Sequence, residues 1–87
     1  MRLREGVHPV LTDDGGAVLD ERTGRWTHLT PTATAAVMLL LSGASPAQAA
    51  ARYADRYGVA RERALSDIQA VTRALAAAGL THPPARA

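Results

Sequence analysis

Three histidines, His8, His28 and His82, are the side chains of this chain best suited to proton transfer or metal binding. None has a partner at the H-x-x-x-H or H-x-x-E spacing that would put two ligands on one helical face. One lies near the start, one in a predicted strand and one near the end, so a metal site would need ligands converging from unrelated elements. No G-x-S-x-G elbow exposes a serine. The pair Gly15-Gly16 precedes a strand, not a helix N-terminus, so it makes no phosphate cradle. The carboxylates are scattered, and cysteine is absent. These residues point to a chain that binds rather than catalyses, with no metal and no cofactor.

The stretch VLDERTGRWTHLTP, residues 18–31, offers a binding chemistry instead. It holds the only tryptophan among β-branched and polar residues, with a charged turn closed by Gly24. Val7–Thr12, Ala17–Asp20 and Arg25–Leu29 read as three strands joined by turns at Asp13-Asp14-Gly15-Gly16 and Glu21-Arg22-Thr23-Gly24. The second turn predicts Leu19 opposite Trp26 and Val18 opposite Thr27.

Helices follow. Thr30-Pro31 reads as an N-cap and first helical residue. That helix runs through Val37-Met38-Leu39-Leu40-Leu41 to Gly43, and being apolar nearly all round it should be central and buried. Ser45-Pro46-Ala47-Gln48 has the form of a capping box, and Gly58 ends the second helix. The third spans about residues 60–78, with Ala64, Leu65, Ile68, Val71, Thr72 and Leu75 at the spacing of an amphipathic stripe. The expected fold class is α+β, like a winged helix-turn-helix: a three-stranded antiparallel sheet followed by three helices. One domain should cover residues 1–80, with a flexible tail at 81–87.

Composition sets bounds. Eighty-seven residues suffice for one small core, with little room for an extended cleft. The absence of cysteine suits a reducing cytoplasm. The apolar run at 33–41 is far short of a membrane span, and no secretory signal follows Met1, so no membrane partner is expected. Ten arginines and eight acids leave a net charge of +2, and the two signs are interleaved.

That interleaving bears on the main alternative, a small winged-helix DNA-binding regulator. The third helix would be the reader, yet Glu62 separates Arg61 from Arg63, and Asp67 follows one turn later. The strands also precede the helices, whereas a wing follows its recognition helix. Nucleic acid is therefore not the expected partner. For Arg25–Leu29, two readings stand. The strand is either a protected edge or an open one, free for an extended peptide to join the sheet through main-chain hydrogen bonds.

The run VLDERTGRWTHLTPTATAAVMLLLSG resembles the signature of PqqD-like proteins: a strand, an R-T-G turn, an aromatic-bearing strand ending in leucine, and a proline-started helix. YGVARERALSDIQAVTRALAAAGL resembles that family's closing helix, and the likeness extends over about residues 5–80. One departure is Val59-Ala60, where the family often has a polar or acidic residue starting the last helix; a weak cap is expected there. The resemblance implies a RiPP recognition element, which captures the leader of a ribosomally made precursor peptide. As a free-standing chain it is most similar to the leader-binding component of lasso-peptide biosynthesis. Its implied partners are the precursor leader peptide, a leader peptidase of the cysteine-protease type and the ATP-dependent lasso cyclase.

The resemblance also implies that the leader adds antiparallel to the third strand and packs on the third helix. Carried onto this chain, the backbone of Arg25, Trp26, Thr27, His28 and Leu29 pairs with the leader. Leu65, Ile68, Val71, Thr72 and Leu75 are candidates for the apolar wall, about half of them facing the core instead. Leu29, Val37 and Leu40 are assigned to the core. Arg25 and Arg73 either meet leader carboxylates or are plain surface charges. Asp67 either pairs with Arg63 or accepts a leader donor. Trp26 is either a groove anchor or the cross-strand partner of Leu19, the former being preferred.

Overall fold

The computed structural model describes residues 1–82. Three strands come first, β1 (Val7–Thr12), β2 (Gly15–Asp20) and β3 (Arg25–Leu29), then three helices, α1 (Pro31–Leu41), α2 (Pro46–Tyr57) and α3 (Arg61–Ala77). The sheet is antiparallel in the order β1-β2-β3. The three-strand, three-helix α+β architecture is the one expected, and so is the register: Leu19 faces Trp26 and Val18 faces Thr27.

One boundary moves. Gly15 and Gly16 belong to β2 and pair with Thr12 and Leu11, which leaves only Asp13-Asp14 in the turn. Space explains this. A Cβ on Gly16 would stand 2.7 Å from the Val10 carbonyl oxygen and 3.1 Å from the Thr34 hydroxyl. Glycine therefore lets α1 sit against the strand, a packing role rather than a turn role.

The second turn is braced from within. Asp20 accepts from the Arg22 backbone N–H (3.0 Å), Nε (3.1 Å) and terminal guanidinium (3.1 Å), while the Asp20 carbonyl takes the Gly24 N–H at 2.8 Å. Gly24 turns at φ 70. Arg22 also reaches the Gly79 carbonyl at 3.4 Å, which ties the hairpin to the end of α3. Its side-chain hydrogen bonds hold the Asp20 carboxyl below the usual carboxylate range. Such a group adds stability above its unfolded pKa of about 3.9, and that contribution is lost as pH falls through the folded value. Thermal unfolding followed from pH 6 down to pH 2 should therefore show a shallower acid decline for Asp20→Asn than for the parent. Equal declines would mean that the brace contributes nothing.

The helix starts behave as their residues require. Thr30 Oγ1 accepts from Ala33 N, Ser45 and Gln48 complete a reciprocal capping box, and Gly58 closes α2 in the left-handed region at φ 65. At Ala60 no side chain caps α3, matching the weak start expected there.

Two apolar clusters fill the interior. Leu40, Ala50, Tyr53, Ala64 and Ile68 join the three helices; Val7, Val18, Val37, Leu75 and Leu80 join the sheet to α1 and α3. Leu29 packs at the margin of the second cluster, while Met38 remains exposed on α1. The chain ends meet each other. Leu3 bridges Thr81, Arg4 N donates to Leu80 O, and His82 N donates to Arg2 O, each of these bonds at 3.0 Å. Thr81 is buried, so residues 81 and 82, placed in the tail by sequence, are tied down. The rest of the expected tail lies outside the described residues.

Candidate peptide-binding site

Strand β3 forms one edge of the sheet. Two bonds fix which of its groups point outward. Glu21 N donates to Gly6 O at 2.9 Å, extending the β1–β2 ladder by one pair, so odd-numbered residues of β2 bond to β1. The even-numbered ones must bond to β3, and the 2.8 Å bond from Gly24 N to Asp20 O begins that ladder. Arg25, Thr27 and Leu29, opposite Asp20, Val18 and Gly16, thus turn their main chain inward. Trp26 and His28 turn theirs outward. The five residues expected to pair with a peptide divide into two that offer hydrogen bonds and three that hold the strand.

Among the described residues, no bond linking loops or termini reaches Trp26, Thr27, His28 or Leu29.

Two clefts lie beside α3, one along its length and one past its C-terminal end, and the second reaches β3 at Arg25 and Thr27. The larger, about 420 Å³, lies among α1, α2 and α3, bordered by Thr32, Ala33, Tyr53, Arg63, Asp67 and Val71 with Ala36, Ala70 and Ala74. The smaller, about 230 Å³, lies between the hairpin and the end of α3, among Asp20, Thr23, Arg25, Thr27, Ala78 and Leu80. Arg63, Asp67, Ala70 and Ala74 recur at three- and four-residue steps along α3, and the C-cap Ala78 carries the same face from the larger cleft to the smaller. From Arg63 to Ala78 this face runs about 22 Å, the length of about seven extended residues. Three alanines along it let a second backbone come close.

Several expected wall residues are elsewhere. Ile68 and Leu75 are 0% and 1% exposed and belong to the core, because the most apolar stripe of α3 faces α1, α2 and the sheet. Leu65 packs partly against the α2 cluster. Thr72 is exposed and folds its hydroxyl back onto the Ile68 carbonyl at 2.8 Å. Arg73 is exposed and borders neither cleft. Only Val71 and Asp67 of the proposed helical set line a cleft. Trp26 takes the cross-strand place opposite Leu19. By the alternation of the strand its side chain is on the outer face, away from the helices.

Asp67 is held on two sides. Its Oδ2 accepts from the Tyr53 hydroxyl at 3.2 Å, and its Oδ1 lies 3.6 Å from Arg63 Nε one turn back. The Arg63 pair was one of the two readings of Asp67, and it contributes only a few tenths of a kcal/mol. Tyr53 was not among the residues expected at the site. A phenol is a donor at neutral pH in any case, and burial moves its pKa further up. Missed as well were Ala70, Ala74 and Ala78, whose i, i+4, i+8 spacing beside the leucine stripe was the available signal. Among the described residues, no group of acidic or histidine side chains is placed to hold a metal, and no helix is long and apolar enough to cross a membrane.

Two solved structures share this fold. One is a lasso peptide synthetase B1 complexed with the leader peptide: TM-score 0.86, 38% identity, covering 94% of this chain and 96% of the other. The second, TbiB1 in complex with the TbiA(beta) leader peptide, gives a TM-score of 0.85 at 26% identity, covering 99% and 100%. No curated protein matches the sequence. The family model for coenzyme PQQ synthesis protein D (PqqD) matches residues 15–80. With the R-T-G turn, the exposed β3 edge and the α3 face inside that span, the chain belongs to the PqqD family.

Proposed function

We propose that this protein binds the leader segment of a ribosomally made precursor peptide of the lasso type and presents it to the enzymes that process it. The observation that carries this reading is the β3 edge, with outward main-chain groups at Trp26 and His28, and with Arg25 and Thr27 bordering a cleft at the C-terminal end of α3. The likeness to two leader-bound proteins supports it.

The leader adds as a fourth strand. Main-chain bonds at Trp26 and His28 supply affinity that does not depend on sequence, and Val71 with the α3 alanines receives alternate side chains. Arg25 and the Arg63–Asp67 pair set charge preference at opposite ends of the groove. The chain acts as a carrier in the cytoplasm rather than a catalyst, handing the leader to a cysteine-type leader peptidase and serving the ATP-dependent cyclase.

Calorimetric titration with synthetic leader segments of lasso-type precursor peptides tests this. Binding should fall between about micromolar and nanomolar, roughly 8 to 12 kcal/mol. Random duplex DNA at moderate salt should not bind. Tight DNA binding with no response to the leader would instead make this a small regulator.

A further inference from the structure

The outer face of the sheet, opposite the helices, carries two cross-strand rows. One is His8, Leu19 and Trp26; the other is Val10, Ala17 and His28. Trp26 is 49% exposed, a large apolar surface on an edge strand. Leu19 is its cross-strand neighbour on β2. The other side of Trp26 borders the position that a fourth strand would take.

We infer that Trp26 forms a second, outward-facing specificity subsite, which takes an apolar β-branched or aromatic side chain of the bound peptide. This rests on the edge-addition reading above. A peptide in the β conformation alternates its side chains, so only half of them can enter the α3-lined clefts. The rest project onto the outer face. Because the Trp26 main chain points outward, the peptide residue opposite it forms a hydrogen-bonded pair with a Cα separation of about 5.5 Å. Its side chain lands on the same face as the indole and continues the row His8–Leu19–Trp26. Aromatic pairs with β-branched or aromatic neighbours are favoured at such positions. The peptide is therefore read from both faces, by the clefts on one and by the indole on the other.

A double-mutant cycle tests this. Leader peptides with alanine placed at each successive position are titrated against the parent protein, Trp26→Ala and Trp26→Thr, the last keeping a strand-forming residue. At one outward position, the parent should lose about two- to fivefold in affinity on alanine replacement, and both Trp26 variants should lose nothing further. Equal losses in parent and variants at every position would overturn the subsite. Failure of edge addition itself reads differently: the leader would bind as tightly to His28→Pro as to the parent. A leader that binds none of the proteins removes both readings.

Discussion

A proline at His28 should abolish leader binding while leaving the fold in place. The His28 N–H points away from β2, so its loss breaks no ladder bond within the protein; proline is tolerated on an edge strand in that position. The loss falls on the visiting strand, which forfeits a hydrogen bond and meets the pyrrolidine ring in its path. At least a tenfold loss of affinity is expected, about 1.4 kcal/mol or more. Far-ultraviolet circular dichroism and the thermal midpoint should stay near those of the parent. Thr27→Pro makes the contrast. Thr27 pairs inward with Val18, so proline there removes a bond of the sheet itself and should lower stability as well as binding. Unchanged affinity in His28→Pro would refute addition at this edge.

On α3, two substitutions should separate core from wall. Ile68 is fully buried within the cluster that joins the three helices. Ile68→Ala should cost about 2–5 kcal/mol of stability. A domain of this size has on the order of 5–10 kcal/mol in total, so much of its margin would go. Ala74 is exposed and lines the larger cleft. Ala74→Arg should change stability by no more than about 0.5 kcal/mol, yet fill the space a peptide needs and weaken leader binding at least tenfold. Denaturant titration and calorimetry on both variants check this. The opposite pattern, a stable Ile68→Ala that cannot bind, would put Ile68 back in the wall.

Much of the fold was legible because local signals agreed with one another. Thr30-Pro31, Ser45-Pro46-Ala47-Gln48 and Gly58 each name a helix end by a mechanism, and each does so in the structure. The Arg22-Thr23-Gly24 turn set the pairing of Leu19 with Trp26. The glycine pair at 15–16 misled because glycine signals a turn as readily as a close approach, and only the position of α1 decides between them. The site was harder to read. Periodicity shows that α3 has an apolar stripe, but the strongest stripe is the one the core consumes, so Ile68 and Leu75 were candidates for the wrong surface. The groove face is marked by Ala70, Ala74 and Ala78, whose use is the room they leave. Tyr53 reaches Asp67 from another helix, a meeting that sequence spacing cannot display.

Amide hydrogen exchange, read residue by residue with and without the leader, addresses the outward main-chain groups of β3 most directly. Saturating peptide should slow exchange sharply at Trp26 and His28, while Thr27 and Leu29, already bonded to β2, change little. If protection arises instead at β1 or on the exposed face of α2, and those two amides still exchange freely, the leader does not bind as a fourth strand on this sheet.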